Sequence, residues 1–385
     1  MQGQRIATSH RLNLGMLSTY PPTACGLATF SSALERALVG LGHNVRVVQV
    51  SDGSPDFVTG TGVVGVLENG SRPSLRRSAA ILDETDAVII QHEYGIFGGP
   101  DGEDVLDLIR MLDAPVISVL HTVPASPTPN QRRVLEAIVA RSTRSVVLTE
   151  CARDRLIAGY DVDPDAVATI RHGAIVTSAR RVPPSDAAPQ VLSWGLLGPG
   201  KGLEHVIDAV GRLHAEGLPV RYTIAGMTHP KVVATHGERY RRSLADRAHD
   251  RGVAHLVDFD RTYRDPMRLA HYLATSAVIV LPYASTDQVV SGVLVDSIAA
   301  GRPIIATAFP HAVELLEQGA GIVVEHGDLD GLTAALRSVI AEPDVLADLT
   351  MGARRLAPVH DWQVVGREYA QLAASVTARR LPIPA

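Results

Sequence analysis

The strongest constraint in this sequence is a rhythm. Short apolar runs recur, each followed by a loop and then by a segment with helical spacing. Leu12–Leu17 reads as a strand and Pro21–Gly26 as a turn. The next stretch carries Leu27, Phe30, Leu34, Leu38 and Leu41 on one face, with Ser31, Ser32, Glu35 and Arg36 on the other. That is the 3.6-residue period of an amphipathic helix. Val45–Val50, Ala87–Gln91, Pro115–Leu120 and Ser145–Thr149 continue the strand series. Apolar runs this short, separated by helices, predict βαβ units and a parallel sheet. The rhythm breaks at Ser178–Gln190, where three Pro and two Arg stand among Ser and Ala, and this reads as a linker. It restarts with a strand at Val191–Trp194 and a helix carrying Leu203, Val206, Ile207, Val210 and Leu213. Further strands follow at Arg221–Ile224, Leu256–Phe259, Ala277–Leu281 and Pro303–Ala306, and Trp362–Ala378 reads as a last helix. The expectation is an α/β protein with two doubly wound, Rossmann-like parallel-sheet domains. Residues 1–180 form the first and 181–358 the second, with 359–385 a helix and tail crossing back to the first. Ligands of such sheets bind beyond the carboxyl ends of the strands, so two facing sheets would put the site in the cleft between them.

Composition removes other classes. A chain of 385 residues exceeds one ordinary core. Net charge is −5, so no nucleic-acid partner is expected. Cys25 and Cys151 are the only cysteines, which argues against a disulfide framework or a cysteine-rich zinc site. Met1–His10 is polar and does not read as a signal peptide, and apolar runs such as Ala277–Leu281 are too short to span a bilayer. A cytoplasmic protein is expected. The basic pairs Arg76-Arg77 and Arg132-Arg133 read as solvated faces or as contacts for an acidic acceptor or the inner membrane face.

Two segments carry chemistry. Gly195-Leu-Leu-Gly-Pro-Gly-Lys-Gly202 lies between a strand and a helix. Glycine lets backbone approach a phosphate, and a helix N-terminus offers free N–H groups. Gly195 to Lys201 fits the first seven positions of a Walker A loop, but the eighth, where Ser or Thr would hold magnesium, is Gly202. A dinucleotide fingerprint fails as well, because Leu203 stands where its third glycine belongs. A plain strand-to-helix turn with a solvated lysine fits the same residues. In Thr286–Pro303, Ser291 can cap a helix beginning at Gly292, and Gly301 can end it. Gln288 precedes that helix, and Asp296 lies a turn inside it. The plain alternative is a capped helix with an exposed aspartate.

Together, these segments resemble the retaining GT-B glycosyltransferases of family four. Lys201-Gly-Leu-Glu204 is similar to the loop before the first helix of that family's donor domain, and Asp296-Ser-Ile-Ala-Ala-Gly-Arg-Pro303 to the segment starting at its second acidic residue. Ser18–Gly26 resembles the glycine loop of its acceptor domain. His121, at the end of Val116–His121, resembles a histidine at its active-site cleft. Gln91-His-Glu-Tyr-Gly95 is similar to a bacterial version. Three positions depart from the family: Leu196 replaces an arginine, Gln288 the first glutamate and Asp296 the second.

The resemblance implies a retaining transferase that moves a hexose from a UDP- or GDP-sugar to an acceptor hydroxyl. The departing phosphate takes the acceptor's proton, and neither metal nor cofactor takes part. The acceptor would be a sugar, a lipid-linked molecule or a small molecule. Lys201 and His121 would be catalytic. Gly26, Gly195, Gly198, Gln288, Ser291, Gly292, Val293 and Asp296 would bind the donor, with Asp296 on the ribose and Gln288 near the sugar. The base would be read by backbone around Gly226–Thr228 and Phe259–Arg261. A metal site from His92, Glu93, His121 and His172 is conceivable on residue types, but its spacing is no known ligand pattern. Two other functions fit: a nucleotide-sugar epimerase of the same shape, with Glu93 and Glu150 as acid and base, or a sugar-nucleotide-binding protein with reduced catalysis.

Overall fold

The computed structural model describes residues 11–378 apart from 24, 52–61, 177–187, 219 and 263–265. Met1–His10 and most of the expected linker therefore lie outside the described residues. The chain divides into two compact units, one of Met1–Arg171 with Trp362–Ala385, the other of His172–Asp361.

The first unit runs β1 (Asn13–Ser18), α1 (Gly26–Gly40), β2 (Asn44–Ser51), β3 (Val63–Glu68), α2 (Arg72–Asp83), β4 (Ala87–His92), α3 (Asp104–Met111), β5 (Val116–Leu120), α4 (Pro129–Arg141), β6 (Arg144–Val147), α5 (Glu150–Gly159) and β7 (Val167–Thr169). The second runs β8 (Gln190–Trp194), α6 (Leu203–Ala215), β9 (Arg221–Ala225), α7 (Pro230–His236), α8 (Arg239–Asp250), β10 (Val257–Asp260), α9 (Pro266–Thr275), β11 (Val278–Leu281), α10 (Gly292–Ala299), β12 (Ile304–Thr307), α11 (Pro310–Leu316), β13 (Gly321–Val324), α12 (Leu329–Ala341) and α13 (Pro343–Leu356). Finally α14 (Trp362–Ala378) returns to the first unit, where it packs on α1.

Both sheets are parallel, in the orders β3-β2-β1-β4-β5-β6-β7 and β10-β9-β8-β11-β12-β13. In each unit the chain winds outward from the first strand and then returns to that strand's other side. The switch points therefore fall between β1 and β4 and between β8 and β11. There the loops diverge to opposite faces and leave a crevice at the strand ends. The central strands are apolar because helices cover both faces: Leu14, Met16 and Leu17 of β1 and Val278, Ile279 and Val280 of β11 are wholly buried.

The structure adds three strands to those expected, β3, β7 and β13, and each lies at a sheet edge. It also corrects one helix face. Ser31 and Ser32 were expected outside, but both are buried. Helix α1 is covered twice, by the sheet and by α14. Ser31 Oγ donates to the Leu27 carbonyl at 2.8 Å and lies 2.7 Å from Ser18 Oγ of β1, so the inward hydroxyl is satisfied. Close approach of α14 is marked by Gly366, where a Cβ would stand 2.9 Å from that of Ala37.

Candidate functional site

In the second unit, β8 ends at Trp194 and the glycine loop begins. Gly195 N–H donates to the Ala225 carbonyl at 2.9 Å, and Leu197 N–H to the Met227 carbonyl at 2.9 Å. On the other side, Ala284 N–H donates to the Gly200 carbonyl at 2.9 Å. The loop is thus pinned between the segments that follow β9 and β11. Gly202 explains the failed Walker motif. Its φ is +66°, and a Cβ there would run into the Pro282 carbonyl oxygen, so no serine or threonine fits. Gly226, at φ +133°, has the same relation to the Gly195 carbonyl, and its own N–H donates to the Asp260 carbonyl at 2.7 Å.

Lys201 lies over the ring of Tyr283, its Nζ 4.3 Å from the centroid, and Tyr283 in turn stacks on Phe309. Among the described residues no carboxylate pairs with it. Burial lowers its pKa from the usual lysine value. A partly desolvated ammonium, supported only by an aromatic face, is a place for an anion.

Helix α10 starts as expected: Ser291 is its N-cap, and Ser291 Oγ accepts from Leu294 N–H at 3.3 Å. The Val295 N–H goes to the Ser291 carbonyl, at 3.2 Å. Gly292 and Val293 N–H have no acceptor among the described residues. The His172 ring covers Gly292, with Nε2 3.0 Å from where a Cβ would be. Val293 Cγ2 comes within 3.5 Å of a Cβ built on Gly195, so the two segments meet across the β8/β11 switch point. Gly198 sits on the far side of the loop, against Val232. The Asp296 carboxyl is partly buried with no partner among the described residues, and desolvation pushes its pKa up to about 7. Gln288 turns back on its own loop and donates Nε2 to the Val290 carbonyl at 2.9 Å.

The first unit assembles a second group at the ends of β1, β4 and β5. His121 Nε2 is 2.7 Å from Gln91 Oε1, and the Phe30 ring meets its edge with centroids 4.9 Å apart. Glu93 accepts from Thr122 Oγ1 at 2.5 Å and from Tyr94 N–H at 3.0 Å. His92 is fully buried against Tyr94 and Phe97, and burial lowers its pKa to about 4. Gly26 opens α1 with φ outside the left-handed region, and a Cβ there would meet nothing within 4 Å. Turn strain therefore does not account for that glycine. His172 belongs to the second unit, apart from His92, Glu93 and His121. Among the described residues no three His, Cys, Asp or Glu side chains are grouped to hold a metal.

The structure brings in residues that the motifs did not point to: Tyr283 beneath Lys201, and His311, whose Nδ1 accepts from Ser291 N–H at 2.8 Å. Their only sequence signal is position, just after β11 and just after β12.

Residues 188–342 match the family described as glycosyl transferases group 1, and residues 25–176 match glycosyltransferase family 4. The chain belongs to this glycosyltransferase family and has its GT-B fold. It is 28% identical over 276 residues to a D-inositol 3-phosphate glycosyltransferase of Saccharomonospora viridis, covering 65% of this chain and 62% of that one. A Salmonella typhimurium protein named putative colanic acid biosynthesis glycosyltransferase WcaL is 26% identical over 222 residues, 55% of this chain and 52% of its own. The chain spans about three fifths of the length of the inositol-phosphate glycosyltransferases it matches. Among solved structures, Anabaena HepE in complex with UDP and glucose aligns with a TM-score of 0.73 at 16% identity, over 95% of this chain and 100% of that one. Sucrose-phosphate synthase of Thermosynechococcus elongatus aligns with a TM-score of 0.75 at 17% identity, over 96% of this chain and 100% of its own. Among the described residues no helix is long and apolar enough to cross a membrane.

Proposed function

We propose that this chain is a retaining glycosyltransferase that moves a hexose from a UDP- or GDP-sugar to an acceptor hydroxyl, without a metal ion. The observation that carries the proposal is the β8/β11 switch point. There a half-buried ammonium on Lys201, with no carboxylate beside it among the described residues, and the Gly292 and Val293 N–H groups, with no acceptor among those residues, belong to segments that touch. That is a donor set for a diphosphate. As the bond from sugar to phosphate breaks, charge builds on the leaving diphosphate. Lys201 and the α10 N-terminus oppose it, and one such preorganised donor can lower a barrier by roughly 3–4 kcal/mol. The departing phosphate oxygen takes the proton of the attacking hydroxyl, so the protein itself need not supply a base. Asp296, one turn further on, would accept from the ribose hydroxyls, which would offset the desolvation that pushes its pKa up to about 7. In the first unit, Gln91 orients His121, and open space at Gly26 suits a ligand lying against the start of α1. The relatives named D-inositol 3-phosphate glycosyltransferases suggest a phosphorylated polyol as the first acceptor to assay.

One observation favours a second reading, a binding protein of reduced catalysis: Gln288 is uncharged and its amide is turned onto Val290. A thermal-shift screen against UDP-, GDP- and ADP-sugars, followed by product analysis, separates the readings. A donor at about 100 times its Kd stabilises by about 2.7 kcal/mol. Transfer with retained anomeric configuration supports the first reading, and binding with neither transfer nor hydrolysis supports the second. Conversion of the donor sugar without any acceptor would point to an epimerase, and no shift with any sugar nucleotide would sink both.

A further inference from the structure

The Gly292 and Val293 N–H groups of α10, without an acceptor among the described residues, are useful only if they point at the ligand, and the peptide just before them sets their direction. Ser291 N–H is buried and donates to His311 Nδ1 at 2.8 Å. His311 stands in the first turn of α11 and is 1% exposed. Its own backbone N–H reaches the Gln288 carbonyl at 3.4 Å. One residue therefore holds both ends of the 288–291 turn from a different helix. The bond requires a neutral imidazole with its proton on Nε2. Burial, with His172 and His360 nearby, holds the ring far below the usual histidine range, at about 3. An aspartate could accept the same N–H, but it would place a negative charge behind the N-terminus that must attract an anion. A buried neutral acceptor meets both demands.

We propose that His311 is a positioning residue of the diphosphate site: it takes Ser291 N–H and so aims the Gly292 and Val293 N–H groups at the donor phosphates. The inference rests on the sugar-nucleotide reading above. It is tested with the full chain and whichever of UDP, GDP or ADP, with its hexose donor, binds the wild type. His311→Leu fills the space but accepts nothing. His311→Asn puts a neutral carbonyl oxygen where Nδ1 lies. His311→Leu is expected to raise the donor KM and the inhibition constant of the nucleoside diphosphate about tenfold or more, as befits a buried N–H left unpaired. The acceptor KM stays unchanged, and His311→Asn stays within about threefold of wild type. Should His311→Leu fail to fold, His311→Gln, whose carbonyl lies one bond too far, takes its place against His311→Asn. Equal donor constants in all folded variants, or an asparagine variant as impaired as the leucine one, would overturn the role of His311. A wild type that binds no sugar nucleotide overturns the underlying reading, and that failure is seen before any variant is made.

Discussion

Lys201 is the residue on which the proposed chemistry turns. Its ammonium is partly desolvated and rests on Tyr283, so the charge it needs opposite must come from outside the described protein residues. Lys201→Ala should leave the fold intact and lower transfer by at least about a hundredfold. Near-normal turnover would remove it from the mechanism. Asp296 gives a prediction with a definite sign. Its folded pKa, about 7, lies above the value of an unfolded aspartate. The unfolded chain therefore gives up this proton first, and stability falls as pH rises from about 4 to about 7. Asp296→Asn should raise Tm at pH 8 by at least about 2–4 °C, give no gain at pH 4, and weaken donor binding. A loss of Tm at pH 8 would show that the carboxylate is stabilised in a way the geometry does not reveal. Gly26 is the third case. An alanine methyl would meet nothing, so Gly26→Ala should keep Tm within about 1 °C yet cut transfer about tenfold or more, if a ligand lies there. Unchanged kinetics would leave the glycine without a ligand-related role.

Elements explain what motif matching left unexplained. The glycine loop is neither a Walker loop nor a dinucleotide fingerprint, because its neighbours differ. It is clamped by backbone bonds to the segments after β9 and β11, and its last glycine faces the Pro282 carbonyl. Gly202→Ser, which would complete the Walker pattern, should instead destabilise the second unit by at least about 2 kcal/mol, through left-handed φ and steric conflict. Urea unfolding measures it, and a variant as stable as wild type would contradict the packing. The missed strands share a cause. β3, β7 and β13 are edge strands with half-exposed residues, so they lack the continuous apolar run by which the central strands were recognised. The burial of Ser31 has a related origin. Periodicity marks one apolar face, and α1 has two neighbours.

At the scale of the whole molecule, the chain leaves the first unit after Arg171 and comes back to it at Trp362. Val365, Tyr369, Ala373 and Val376 of α14 are buried in that return. Each large apolar side chain contributes roughly 1.5–3 kcal/mol on burial. Deleting Trp362–Ala385 should therefore lower the unfolding temperature of the first unit while the second still answers to a sugar nucleotide. Calorimetry with and without the nucleotide reads both, and loss of the nucleotide response would show that the units depend on each other for stability.

The sequence by itself determined the class of fold, the central strands and the cap of α10, because these rest on local patterns: apolar runs, helical spacing, serine before glycine. It also brought Lys201, Gly292 and Asp296 into view, since glycine-rich strand-to-helix turns leave a local mark. Only the tertiary structure decided what surrounds them. Tyr283 beneath Lys201, His311 behind Ser291, His172 over Gly292 and the Pro282 carbonyl facing Gly202 are contacts between segments 20 to 120 residues apart. No local period records such contacts. They exist because a parallel sheet gathers its loops at one end, and that end is where the proposed site lies.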